Sequence, residues 1–231
     1  NDSLSLDPNK LYVFSRKLIV NGELQTFYFD YTYKPLFDEN GKGVIIDPGC
    51  YERQEESDLL SFIEQRQIEI VAVLNTHAHI DHILGNQFVT SHFGVDLYLH
   101  EKDLNTLRSV ESYAHVYGFN AYKVSPEPTQ FLEDGQMLSF GEIELKVLFT
   151  PGHAPGHVVF YCEKGKFVIN GDVLFQGSFG RVDLPGGDLE TLKKSIFKIM
   201  FKLPEETVVY CGHGPSTTIG QEKRFNYIHQ F

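Results

Sequence analysis

Thr76-His77-Ala78-His79-Ile80-Asp81-His82 decides the reading of this chain. Three imidazoles and one carboxylate fall between His77 and His82, and that density of nitrogen and oxygen ligands suits zinc or another borderline divalent metal. The segment follows the apolar run Ile70-Val71-Ala72-Val73-Leu74, which reads as a strand buried on both faces. Ligands are commonly carried on loops at strand ends, where a rigid sheet holds them. Packing gives no reason to gather so many imidazoles there, because buried polar groups cost free energy unless they are partnered.

The spacing within the segment has a geometric meaning. His77 and His79 are two apart, so in extended chain their rings point the same way and can reach one ion. Asp81 and His82 fall where the chain is expected to turn into a helix beginning near Ile83. They point elsewhere and can serve a second ion. Further candidates lie downstream: His153 in Thr150-Pro151-Gly152-His153, Asp172 in Gly171-Asp172-Val173, and His213 in Gly212-His213-Gly214. A carboxylate such as Asp172 can bridge two metals; an imidazole cannot without losing its ring proton. Five histidines and two aspartates suffice for two ions side by side, and the chemistry expected is hydrolysis by a metal-bound hydroxide. Asp47, in Ile46-Asp47-Pro48-Gly49, is a candidate acceptor for the outer nitrogen of a ligand imidazole. His92, His100, His115, His157 and His229 read as ordinary surface or core histidines, His157 standing apart because Gly156-His157 lies near the expected pocket.

Elsewhere the pattern alternates strand and helix. Residues 11–14, 17–20 and 26–33 read as strands, with Asn21-Gly22 as a hairpin turn. A strand at 44–46 ends in Pro48-Gly49 and leads to a helix over 53–67. A strand at 96–100, a helix over 101–117, hairpins over 137–149 and 158–169, and a last strand at 207–211 complete the frame. Leu189, Leu192, Ile196, Ile199 and Leu203 form a helical stripe that Pro204 closes. A final helix is expected over 218–227. Without linker composition or repeats, residues 1–231 read as a single α/β domain.

Composition excludes some roles. A net charge of −11 opposes binding to phosphate backbones, so no nucleic-acid partner is expected. No run approaches the roughly 20 apolar residues of a membrane span. The polar start shows no signal peptide, and Cys50, Cys162 and Cys211 have no zinc-knuckle spacing. Reduced thiols in a cytoplasmic protein are the expectation. No partner-binding surface is readable.

These motifs, in this order, resemble the metallo-β-lactamase superfamily over about residues 11–228. That resemblance implies an αββα sandwich, two mixed sheets flanked by helices, with metals at one edge. It further implies that His77, His79 and His153 hold one metal, that Asp81, His82 and His213 hold the other, and that Asp172 bridges them. Aspartate at 81 and histidine at 82 point away from the zinc β-lactamases. The run from Gly171-Asp172-Val173-Leu174-Phe175 to Gly180-Arg181-Val182-Asp183-Leu184-Pro185-Gly186-Gly187-Asp188 is similar to the short bacterial form of the glyoxalase II-like (hydroxyacylglutathione hydrolase-like) enzymes. The expected substrate is then a small-molecule thioester such as S-lactoylglutathione. Asp81 would orient the attacking water and take its proton, and Arg181 would contact an anionic end of the substrate. Zinc is the first expectation for the two ions, with iron or manganese as alternatives. Only the residues 214–231 follow His213, so the C-terminal glutathione-binding region of the long form is not expected among them. The alternative activities are a mononuclear iron persulfide dioxygenase-like reaction, through His77, His153 and Asp172, and lactone or ester hydrolysis.

Overall fold

Neighbours in the chain become neighbours in the first sheet. The structure, a computed structural model, describes residues 13–20, 23–30 and 35–231. Strands β1 (Val13–Val20), β2 (Glu23–Asp30), β3 (Pro35–Asp38) and β4 (Lys42–Ile46) pair antiparallel in order. Helix α1 (Arg53–Gln65) then crosses to β5 (Glu69–Leu74), parallel to β4. Helices α2 (Ile80–Ile83) and α3 (Asn86–Phe93) precede β6 (Asp96–His100), and α4 (Leu104–Tyr113) precedes β7 (Gln130–Leu132); both strands extend the sheet in parallel.

The second sheet starts with β8 (Met137–Phe140), β9 (Ile143–Phe149), β10 (Val158–Cys162) and β11 (Phe167–Gly171), all antiparallel. A small hairpin, β12 (Leu174–Phe175) with β13 (Ser178–Phe179), leads to α5 (Leu189–Lys198). Strand β14 (Val208–Cys211) lies parallel to β11, and β15 (Thr217–Thr218) and α6 (Ile219–Phe225) follow.

Side-chain alternation makes this a four-layer sandwich. Val44 and Ile46 of β4 face Val158, Phe160, Phe167 and Ile169 of the second sheet in one buried cluster. Ile45, between them, faces the other way, onto Leu59, Phe62 and Ile63 of α1. In the second sheet Val159, Val168 and Val209 turn outward onto Leu192 and Ile196 of α5. Each fully buried aliphatic or aromatic side chain contributes roughly 1.5–3 kcal/mol. Helices lie on both outer faces, which is the αββα arrangement of the metallo-β-lactamase fold.

Several local expectations need correcting. The helix in the histidine segment starts at Ile80, not near Ile83, because Ile80, Ile83 and Leu84 pack together against Leu107 and Val110 of α4. That three-and-four spacing is masked in sequence by Asp81 and His82. The α5 stripe breaks after Lys198 and finishes as a 3-10 turn, Met200–Lys202. The helix expected over 101–117 is α4 flanked by short 3-10 turns. A second helix, α3, follows from Asn86, and strands β3, β7, β12, β13 and β15 are additional; the strands are two to four residues long, too short for a readable period. The Asn21-Gly22 turn and the strand residues 11, 12 and 31–33 lie outside the described residues.

Candidate metal centre

Strand ends converge on one edge of the sandwich. The segment 75–82 leaves the C-terminal end of β5, and the loop 150–157 joins β9 to β10. Asp172 directly follows β11, and His213 lies just past the parallel strand β14. The two sheets are tied together here: the Val158 N–H donates to the Thr76 carbonyl across 2.9 Å.

All seven expected ligand residues meet in this place. Their donor atoms form three overlapping groups: His77, His79 and His153; His77, His82 and Asp172; and Asp81, His82 and His213. Within each group the atoms lie within 4.8 Å of one another. His79 Nδ1 is 2.9 Å from His153 Nε2. The Asp172 carboxylate lies between the two ends, with Oδ2 3.6 Å from His153 Nε2 and 3.4 Å from His213 Nε2, and Oδ1 3.5 Å from His82 Nε2. Asp81 Oδ2 is 2.9 Å from His213 Nε2 and 3.5 Å from His82 Nε2.

Outer hydrogen bonds fix which ring nitrogen faces inward. His153 Nδ1–H donates to the Arg181 carbonyl at 2.7 Å, leaving Nε2 with a bare lone pair. His82 Nδ1–H donates to Asp47 Oδ2 at 3.0 Å. The Thr76 hydroxyl donates to the same Asp47 oxygen at 2.7 Å and receives His77 Nδ1–H at 3.0 Å. Asp47 Oδ1 takes the Thr76 backbone N–H at 2.7 Å. One carboxylate thus orients two inward imidazoles, and it does so from a left-handed backbone, φ 51°.

The centre leaves polar atoms unsatisfied. His77 Nε2, His82 Nε2 and Asp172 Oδ1 are buried and reach no hydrogen-bond partner. Buried orphans are costly and rare, and three on one spot fit a metal cluster of borderline hardness. The electrostatics agree. Burial, reinforced by neighbouring imidazoles, pushes His77 well below its ordinary range and His79 down to about 4. Burial opposes ionisation of Asp81 and Asp172, yet the His213 and His82 contacts hold both below the usual carboxylate range. Burial would lower His82, but Asp172 and Asp47 raise it to about 9; hydrogen bonds to Asp172 and Asp81 raise His213 to about 10. These are protons that a metal ion would displace.

Two supporting residues were not read from the sequence as part of the centre. His157 is fully buried and stacks on His77, with ring centroids 4.7 Å apart. Its Nε2 accepts the Asp172 backbone N–H at 3.1 Å, and its Nδ1 lies 3.3 Å from the Thr150 hydroxyl. The doubled Pro-Gly-His in Pro151-Gly152-His153-Ala154-Pro155-Gly156-His157 was the available signal. Asp103 is also fully buried; it accepts the backbone N–H groups of Ala78 and Gly156 at 2.7 and 2.6 Å. Those contacts span 25 and 53 residues, beyond any local pattern. Arg181 supplies its carbonyl to His153, while its exposed guanidinium forms a two-point ion pair with Asp183 at 2.6 and 2.7 Å. Tyr113 and Tyr117 stack edge to face, and burial with nearby Tyr117, Tyr122 and Asp81 raises the Tyr113 phenol to about 12.

The family model for the metallo-beta-lactamase superfamily matches residues 36–213. A curated relative from Haemophilus influenzae, hydroxyacylglutathione hydrolase GloC, is 36% identical over 192 residues, covering 83% of this chain and 89% of its own. The crystal structure of the B3 metallo-beta-lactamase BLEG-1 superposes with a TM-score of 0.77 at 32% identity, covering 93% of this chain and 99% of that one. That of TTHA1623 in a di-iron-bound form gives 0.74 at 36% identity, covering 91% and 98%. The chain belongs to the metallo-beta-lactamase superfamily, whose members are metal-dependent hydrolases, and it carries a His/Asp metal-binding cluster. Among the described residues no helix is long and apolar enough to cross a membrane.

Proposed function

We propose that the chain hydrolyses small thioesters of the hydroxyacylglutathione type, with two divalent metal ions held by His77, His79, His153, Asp81, His82, His213 and the shared Asp172. The observation that carries the reading is the pair of donor groups on either side of one carboxylate. A mononuclear oxygenase site would need only His77, His153 and Asp172, and would leave His79, Asp81, His82 and His213 assembled without a metal to hold. The similarity to a hydroxyacylglutathione hydrolase supports the substrate class.

Two cations in this place would lower the pKa of water and polarise a carbonyl. The protein's own groups do the rest. Asp81 has a half-exposed side chain beside His213, positioned to orient water and to accept its proton. His157 fixes the Asp172 backbone, and Asp47 fixes His82 and, through Thr76, His77. The Tyr113 phenol stays protonated at neutral pH and can donate toward an anionic substrate group. Arg181 is the nearby cation for such a group; to act, it must exchange its pairing with Asp183.

The deciding experiment is hydrolysis of S-lactoylglutathione by protein loaded in turn with zinc, iron and manganese, beside a folded His79→Ala variant. Turnover lost in the variant supports the reading. Fully metallated protein that is inactive on this thioester but cleaves lactones or esters would replace the substrate class. Thiol-dependent oxygen uptake at one equivalent of iron would replace the reaction.

A further inference from the structure

Asp103 is a fully buried carboxylate that forms no ion pair among the described residues and has no place in the donor set. Its two oxygens are spent on two backbone N–H groups. Oδ2 takes Ala78, the residue between His77 and His79; Oδ1 takes Gly156, in the loop that carries His153. The three donors of one metal group therefore sit on two loops from different sheets, and Asp103 touches both. The approach is close by construction: a Cβ on Gly156 would lie 2.5 Å from the Asp103 backbone nitrogen. The residue itself is anchored at the start of α4, whose side chains Leu107 and Val110 pack under the Ile80–Ile83 turn. A buried ionised group without a counter-charge is an expensive way to close a turn. A neutral side chain with one acceptor would satisfy only one of the two loops.

We propose that Asp103 is the positioning residue that sets the separation of His77 and His79 from His153, and so the affinity of that donor group for its metal. The inference rests on the metal-binding role of those three histidines and is independent of the substrate. Asp103 touches no reacting atom; it acts through the backbone of Ala78 and Gly156. Asn at 103 keeps the size but turns one acceptor into a donor, which then faces an N–H group. The His77–His79 segment or the His153 loop must move to relieve it.

The test compares zinc binding by chelator-stripped wild type, Asp103→Asn and Asp38→Asn, in competition with a chromophoric chelator. Asp38 is the matched control. It is also a buried carboxylate that accepts backbone N–H groups, those of Asn40, Lys42 and Glu142, but it lies on β3 in a turn that carries no donor. The expected result is that Asp103→Asn binds one of its two zinc ions about 10–100-fold more weakly, the range for loss of an outer support. Asp38→Asn should bind both as wild type does, even where its metal-free melting temperature falls. Cobalt substitution adds a readout besides affinity: the visible bands of one cobalt site should shift in Asp103→Asn only. Unchanged zinc affinities in Asp103→Asn would overturn the proposal, as would equal weakening in Asp38→Asn. Should Asp103→Asn fail to fold, Asp103→Ser takes its place; failure of both would make the residue a general folding requirement and overturn the proposal. Wild type that bound no zinc, iron or manganese would overturn the donor assignment and this inference with it.

Discussion

At the scale of single residues, the centre is held by groups that never face the metal. Asp47 accepts three hydrogen bonds, from the Thr76 N–H, the Thr76 hydroxyl and His82 Nδ1. Asp47→Ala should weaken metal binding about 10–100-fold, read by chelator competition. Asp103 yields a prediction in pH. Burial raises its carboxyl to about 6 despite the two N–H bonds that favour ionisation. A raised carboxyl stabilises the fold in its neutral form. That contribution is fully present below the unfolded value near 4 and is lost as pH rises through about 6. Relative to Asp103→Asn, metal-free wild type should therefore lose up to about 3 kcal/mol between pH 4 and pH 7. Urea unfolding of both proteins at several pH values measures this, and a constant difference would contradict it.

At the scale of elements, the strand ends place the donors, and glycine makes the placement possible. Gly171 closes β11 with φ 50°, and a Cβ there would lie 2.5 Å from the Thr76 hydroxyl and 2.8 Å from His157 Nε2. Gly171→Ala should cost at least about 2 kcal/mol in metal-free stability, seen by denaturant unfolding. Phe160, fully buried in β10 between the sheets, should cost about 3–5 kcal/mol on truncation to alanine. Much of this level was legible in sequence. The strands β4, β5, β10 and β11 announce themselves as apolar runs, and the helix α5 by its stripe. The ligands stood out because so many imidazoles in so few residues have no packing purpose. What escaped detection is what depends on distance along the chain. Asp103 and Thr76 act through contacts between remote segments or through a backbone turn. For His157 the repeated Pro-Gly-His places it near the centre, but its role as acceptor of the Asp172 N–H exists only once β11 folds beside it. The short helix at Ile80 was displaced by two polar residues serving the centre instead of the core.

At the scale of the whole molecule, the two sheets share one site, so metal binding and folding are coupled. Saturating zinc, at a thousandfold excess over its dissociation constant, should stabilise the fold by about 4 kcal/mol per independent site. For a chain of this size that is a rise in melting temperature of roughly 8–16 °C, and removal by chelator should reverse it. A melting curve indifferent to zinc would show that the donors do not hold the metal in the folded state.

The seam across the two sheets also has a meaning in time. The ribosome delivers His77 long before His213, and neither sheet alone owns a full set of donors. In the two-ion arrangement proposed above, the donor group of Asp81, His82 and His213 is complete only once β14 has emerged and docked beside β11. Assembly of that donor group is therefore a late event along the chain. A chain nicked between the two sheets should yield its metal to a chelator faster than the intact chain does, because each donor group draws on both sheets.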